Sequence, residues 1–407
     1  MRKSSQRFPA KGVYLKMNVI IVADGDIKYG ASHSLIQLVK ELKASYGINI
    51  KIVVPVHSTI KNQLKDMECD TICIHYAPFY QGLPSDKWKY PIKFIIRGVL
   101  YWHGRIRAVK EVERSVDLSK IDLIHSNSSR EDLGALIAGK HNIPLVWHIR
   151  EFGDRDYTCY SYRKNYIDFM NENANQFIAV SDAVKEHWVK KGIAPGKIDR
   201  IYNGISPQSI LPKTDYLVVR ERKNMKMVMV GNVSETKGQI WAIETVKRLY
   251  DDGIQVSLDV FGDGARSYEK KLERKIREYR IKHLVKFKGY QKDMGKILSQ
   301  YDIGLMCSRD EGFGRVTVEY MMAGLCVIAS NTGATPELIE DGVSGLLYQY
   351  GDISSLANAI KRCIENPDLR CRLSEHGRLR ANMEFTAKRN AMQVYNVYEQ
   401  ILRNDKA

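Results

Sequence analysis

The sequence predicts an α/β protein made of two doubly wound parallel-sheet domains facing each other across a cleft. Three observations carry this expectation. Short apolar strands alternate with stretches of helical periodicity, the mark of βαβ units and a parallel sheet. Many of those strands are unbroken apolar runs, as strands covered on both faces are. The alternation also runs through the chain twice, and 407 residues are too many for one ordinary core.

In the first series the strands fall at Asn18–Ala23, Asn49–Pro55, Thr71–His75, Asp122–His125, Leu145–Ile149 and Gln176–Val180. Between the first two, Leu35, Leu38, Val39 and Leu42 recur at helical spacing. The second series has strands at Lys226–Val230, Gln255–Phe261, Val285–Lys288, Asp302–Cys307, Leu325–Ala329 and Gly345–Tyr348. Its clearest helices cover Gly238–Tyr250 and Val316–Ala323. The break falls at Tyr202-Asn203-Gly204, ahead of the Pro- and Ser-containing segment Ser206–Leu217. One domain is therefore expected over 17–205 and the other over 206–385, with the ligand in the cleft between them. Residues 1–16 read as a basic tail without a secretory core or cleavage site. The last helical pattern, Ala387–Leu402, has no strand after it, and the segment 386–407 is expected to pack back on the first domain.

Composition narrows the function. No apolar run reaches the roughly 18 residues of a membrane span. Seven cysteines at irregular spacing, without a C-x-x-C pair, suit a reducing cytoplasm. The histidines show no zinc spacing and no Asp-x-Asp cluster follows a suitable strand, so neither metal nor cofactor is expected. The net charge of +16 favours anionic partners such as phosphates or anionic lipid. Nucleic acid is set aside, because the basic residues are dispersed and no recognition motif accompanies them. A dehydrogenase is set aside too, since neither domain opens with G-x-G-x-x-G and a following acid. The segment Lys87–Arg114 carries eight Lys or Arg against two acidic residues, interleaved with Trp88, Tyr90, Phe94, Ile95, Ile96, Leu100, Tyr101 and Trp102. It reads either as a surface helix with snorkelling basic side chains or as a dock for an anionic membrane.

The chemistry concentrates in Glu311-Gly-Phe-Gly-Arg-Val-Thr-Val-Glu319, which follows a strand and opens a helix. Gly312 and Gly314 allow the backbone to approach a ligand closely. The amides of Arg315, Val316 and Thr317 at the helix start can bind an anion. Glu311 and Glu319 add two acceptors suited to sugar hydroxyls. Two solvated glutamates in a Gly-rich loop are the plainer alternative. A second loop, Val230-Gly-Asn-Val-Ser-Glu-Thr-Lys-Gly238, also joins strand to helix, and Lys237 there can neutralise a pyrophosphate or stand as an exposed loop lysine. His148 ends a strand and is expected to face the cleft, with a buried, satisfied histidine as the alternative; His125 also ends a strand, but there the buried, satisfied histidine is the expected reading and a cleft-facing one the alternative. Arg150, Glu151 and Asp154 extend the His148 loop toward an acceptor. The loop Asp26–Ser34 contains Gly30, while His33 reads as a surface residue.

The segment 311–319 is similar to the E-x7-E signature of the retaining glycosyltransferase family 4, whose fold, GT-B, pairs two Rossmann-like domains. Gly333-Ala-Thr-Pro-Glu-Leu-Ile339 and Asp341-Gly-Val-Ser-Gly345 extend the resemblance. It implies that Glu311 contacts donor-sugar hydroxyls, that Glu319 holds the ribose, and that Gly312, Phe313, Gly314, Arg315, Val316 and Thr317 form the donor loop. In the family pattern G-R-x-x-x-x-K-G, arginine and lysine stabilise the leaving diphosphate. Lys237 matches the lysine, but Asn232 stands at the arginine, and Arg315 or Arg309 is expected to compensate. Gly30 resembles the family's glycine-rich loop, Gly262 and Gly264 the G-x-G turn beside the nucleotide, and Tyr290 the loop at the base. His148 matches a histidine near the donor sugar. The implied activity moves a hexose from a UDP- or GDP-sugar to a saccharide or lipid-linked acceptor with retention, in bacterial polysaccharide or glycolipid assembly at the inner membrane face. A non-catalytic nucleotide-sugar-binding protein of the same fold is the alternative.

Overall fold

A computed structural model describes residues 14–25, 30–76, 80–82, 90–153, 159–163, 165–213 and 224–404. The first domain contains β1 (Asn18–Val22), α1 (Gly30–Tyr46), β2 (Asn49–Pro55), α2 (Lys61–Asp66), β3 (Asp70–Ile74), β4 (Tyr80–Gly82) and α3 (Tyr90–Ser115). It continues through β5 (Leu123–Ser126), α4 (Leu133–His141), β6 (Leu145–Ile149), β7 (Cys159–Ser161), α5 (Tyr166–Asn173), β8 (Gln176–Ala179), α6 (Asp182–Lys190) and β9 (Ile198–Arg200). The second contains β10 (Met225–Val230), α7 (Gln239–Asp251), β11 (Val256–Phe261), α8 (Arg266–Glu278), β12 (Val285–Gly289), α9 (Met294–Ile297) and β13 (Ile303–Met306). After these come α10 (Arg315–Ala323), β14 (Cys326–Ser330), α11 (Thr335–Leu338), β15 (Leu346–Tyr348), α12 (Ile353–Glu365), α13 (Pro367–Glu384) and α14 (Ala387–Asn404).

Both large sheets are parallel. Their strand orders are β3-β2-β1-β5-β6-β8-β9 and β12-β11-β10-β13-β14-β15. Each order reverses once, at β1/β5 and at β10/β13, and ligands of such sheets bind outside the strand ends at that switch. In the second domain the loops leaving the switch strands are 231–238 and 307–314, which carry Lys237 and Glu311.

The strand expectations and the structure differ at their ends by a residue or so, except for three short strands. β9 is only three residues, Ile-Asp-Arg, too short and polar to announce itself. β4 and β7 form a small antiparallel pair outside the main sheet.

The chain crosses between domains twice, and the crossings lie side by side. Ile205 N donates to Phe385 O at 2.9 Å, and Ala387 N donates to Ile205 O at 2.9 Å. A Cβ on Gly204 would sit 2.5 Å from Ala387 Cα, so only glycine lets the two segments meet. After the second crossing, α14 lays Ala391, Val394, Tyr395, Tyr398 and Leu402 into a core shared with Leu35, Leu38 and Leu42 of α1. These α14 residues form the buried face of an amphipathic helix.

Candidate active site

Two loops of the second domain are zipped together at the switch point. Arg309 N donates to Thr236 O at 2.9 Å. Gly238 has φ +72°, and a Cβ there would lie 2.1 Å from Cys307 O, so the turn that presents Lys237 requires glycine. Glu311 is fixed from the other side. Gly333 at φ +56° packs where a Cβ would be 2.5 Å from Glu311 N, and Ala334 N donates to Glu311 O at 2.9 Å. With both backbones held, Lys237 Nζ reaches Glu311 Oε1 at 2.5 Å.

The helix α10 opens beside this pair. Its N-cap is Gly314 at φ +85°, and no side chain caps it. Thr317 N bonds back to Gly314 O at 2.9 Å, leaving the amides of Arg315 and Val316 as the open donors. Thr317 is therefore not a third amide for an anion. Its side chain is buried, as α10's inner face requires. Arg315 Nε lies 2.9 Å from Glu319 Oε1. Burial raises the Glu319 carboxyl above its ordinary range, and Arg315 pulls it back. Arg315 also reaches toward the first domain, with a guanidinium nitrogen 3.5 Å from Gly204 O. Across the cleft, a Cβ on Gly30 would lie 3.8 Å from Arg315 Cδ. The rest of that loop, Asp26 to Tyr29, lies outside the described residues.

The turn containing Gly262 and Gly264 stacks on the 231–233 loop. A Cβ at Gly262 would meet Gly231 O at 2.0 Å, and one at Gly264 would meet Val233 O at 2.1 Å. Tyr290 N donates to Asp263 Oδ1 at 3.1 Å, and its ring is 44% exposed. Asn232 is exposed, and its carbonyl accepts from Gln239 Nε2 at 3.0 Å. Arg309 is also exposed, beside Asp310 at 3.6 Å.

The expectations for Phe313, His148, Arg150 and Glu151 need correction. Phe313 does not line the donor loop: its ring is 4% exposed and packs on Tyr202 and Phe385, plugging the hinge. His148 is fully buried rather than cleft-facing. An arginine can only donate, so the 3.4 Å contact from Arg150 makes His148 Nδ1 the acceptor and leaves the ring proton on Nε2. Burial, Arg150 and His125 hold His148 well below the usual imidazole range. His125 is buried as expected, against the Tyr398 hydroxyl, and burial with Arg150 pushes it down to about 3. Arg150 does not extend toward an acceptor: it donates to Asn127 Oδ1 at 2.8 Å and Asn203 Oδ1 at 2.6 Å, tying β6 to the hinge. Burial lowers it to about 10. Glu151 turns inward, accepting from Ser128 Oγ and from the Ser129 amide and hydroxyl. Asp154 lies outside the described residues.

Sequence reasoning gave no role to Ser181, Asn127, Asn203 or Glu337. The first three are polar residues at strand ends or the hinge, a position that could have flagged them. Glu337 follows Pro336 just after the Gly333 turn, inside the Gly333–Ile339 segment of the family resemblance.

Two facing Rossmann-like domains, with a paired lysine and glutamate and an uncapped helix at the second switch point, define a GT-B protein. Glycosyl transferases group 1 matches residues 218–380, and Glycosyltransferase Family 4 matches 29–209. Together they span both domains, and the chain belongs to this glycosyltransferase family. An uncharacterised glycosyltransferase of Methanocaldococcus jannaschii is 27% identical over 75% of this chain and 82% of its own length. The Escherichia coli enzyme named UDP-Gal:alpha-D-GlcNAc-diphosphoundecaprenol alpha-1,3-galactosyltransferase is 24% identical over 64% of this chain and 72% of its own. The crystal structure of Anabaena HepE in complex with UDP-glucose shares the fold, with a TM-score of 0.77 and 22% identity over 94% of this chain and all of that one.

Proposed function

We propose that the chain transfers a hexose from a UDP- or GDP-sugar to a saccharide or lipid-linked acceptor with retention of configuration. The observation that carries this is the Lys237–Glu311 pair, 2.5 Å apart, beside the uncapped start of α10. On this reading the diphosphate lies between Lys237 and the Arg315 and Val316 amides, and the sugar against Glu311. Catalysis on this reading is positioning plus stabilisation of charge on the leaving diphosphate. The leaving oxygen takes the acceptor proton on the same face of the sugar, so no protein nucleophile is needed. No metal or cofactor enters the reading. Closure at the 203–205 and 385–387 crossings excludes water and limits donor hydrolysis.

Melting the protein against a panel of nucleotide sugars tests this. A donor at about a hundred times its Kd stabilises the fold by about 2.7 kcal/mol. One UDP- or GDP-hexose should raise the melting temperature, and nucleotide should be released with an acceptor present. No shift with any of them would end the proposal. The exposed, neutral Asn232 favours one competing reading, a binder without turnover; a shift without nucleotide release would select it.

The acceptor reading extends to a membrane surface. Among the described residues, no helix is long and apolar enough to cross a bilayer. Yet α3 turns Ile95, Ile96, Val99, Leu100, Trp102 and Ile106 outward, with Ile95 64% and Val99 65% exposed. Its inner face is anchored by buried Arg105 against Glu131 and Asp132. Exposed Arg97, Arg107, Lys110 and Arg114 flank the apolar stripe. Apolar residues rimmed by basic ones match an anionic lipid surface at the inner membrane face, where a lipid-linked acceptor would be held. The Lys87–Lys89 end of the segment lies outside the described residues. The protein should co-sediment with phosphatidylglycerol vesicles in a salt-sensitive manner, and the Ile95→Glu/Val99→Glu double variant should not. Equal recovery of both, or of neither, removes the membrane from the proposal.

A further inference from the structure

Glu337 lies outside every catalytic expectation, yet it bonds directly from one domain to the other. Its Oε2 accepts from Asp182 N at 2.7 Å and its Oε1 from Ala183 N at 2.7 Å. These are first-turn amides of α6, the positive end of that helix, where a carboxylate is favoured. Next to them, Ser181 Oγ donates to Gly312 O at 2.6 Å, while accepting from Val184 N at 3.1 Å as the α6 cap. Gly312 is the residue after Glu311. It lies so close to the first domain that a Cβ on it would be 2.9 Å from Arg150 O.

The second domain holds these partners as one unit. α11 starts two residues after Gly333, which packs on the Glu311 backbone, and Ala334 N bonds to Glu311 O. Arg380 of α13 donates to Glu337 O and Leu338 O, both at 3.0 Å, and so pins α11 from behind. Any parting of the domains breaks the Glu337 and Ser181 contacts together. Their formation sets the Glu311 loop at one position against the first domain. We infer that Glu337 is a positioning residue for transfer: gripping the start of α6 in the closed protein, it seats the loop that carries Glu311. The inference rests on the proposed reading of Glu311 as the donor-sugar residue.

The test compares the wild-type enzyme with Glu337→Ala, Glu337→Gln and Ser181→Ala. Three quantities are measured: turnover at saturating donor, Kd for UDP or GDP, and the radius of gyration by small-angle scattering with nucleotide bound. Glu337→Ala should lower turnover by about 10- to 100-fold, as expected for losing paired charge-assisted bonds made only on closure. Its nucleotide Kd should stay within about threefold of wild type, because the diphosphate groups of the proposed reading, Lys237 and the Arg315 and Val316 amides, belong to the second domain and are untouched by the substitution. Its nucleotide-bound radius of gyration should be larger. Glu337→Gln, which keeps one acceptor oxygen, should fall between. Wild-type turnover in Glu337→Ala, an unchanged radius, or a Kd that weakens in step with turnover would overturn the inference. If Glu337→Ala does not fold, Glu337→Gln and Ser181→Ala supply the same three readings. A wild-type protein that binds nucleotide but transfers no sugar would sink the proposed function instead, and the scattering comparison would still decide the latch.

Discussion

Replacing Lys237 with alanine is expected to slow sugar transfer by about two to four orders of magnitude, the scale of losing a charged donor aimed at a transition-state anion. The expectation is large because nothing in the same loop can take over. Lys237 is the one basic residue of 231–238, and Asn232, at the position where the family pattern has arginine, supplies no charge. The two arginines expected to compensate are committed elsewhere: Arg315 to Glu319 at 2.9 Å, and Arg309 to solvent and Asp310. Nucleotide affinity should weaken as well, since in the proposed function the lysine meets the diphosphate in ground and transition states alike. Folding should barely change, because a lysine side chain 32% exposed in its ion pair contributes little to stability. Steady-state kinetics beside a melting curve separates these effects. A near-normal rate would take Lys237 out of the chemistry.

Much of the fold was legible because parallel strands are buried on both faces. Val19 to Val22 and Leu145 to Trp147 are all fully buried, so they read as plain apolar runs. The same property hid the orientation of His148. On a strand with one wet face, alternation would tell which residues face the cleft. On β6 both faces are dry, and His148 and Arg150, two residues apart, belong to a buried polar cluster with Asn127 and Asn203. Those partners come from β5's end and the hinge, which no local pattern links to β6. Phe313 misled for a related reason. A phenylalanine between two glycines looks poised for a ligand, but its seat is formed by Tyr202 and Phe385 at the two chain crossings. The lysine and the glutamates were easier, because a turn that needs Gly238 or Gly314 writes its requirement into the sequence. Glu337 was hardest: its partners are two backbone amides in the other domain, and no local pattern links the Pro336-Glu337 turn to the start of α6.

Glu311→Gln is expected to leave a different trace from Lys237→Ala, and the contrast separates the two halves of the donor. The substitution keeps the size of the side chain and the backbone clamp from Gly333 and Ala334. It removes the charge that holds Lys237 at 2.5 Å and weakens the acceptor offered to the sugar. Hydrogen bonds to a charged group are worth about 1.5–3 kcal/mol, so transfer should fall by roughly 10- to 100-fold. UDP or GDP alone should bind as well as before or more tightly, since a lysine freed from its carboxylate is a better partner for a diphosphate. Calorimetry with the bare nucleotide and with the intact donor measures both. Equal losses for nucleotide and nucleotide sugar would mean that Glu311 serves the phosphate side by orienting Lys237, and would remove it from the hexose. Selective loss with the intact donor would place the sugar against Glu311.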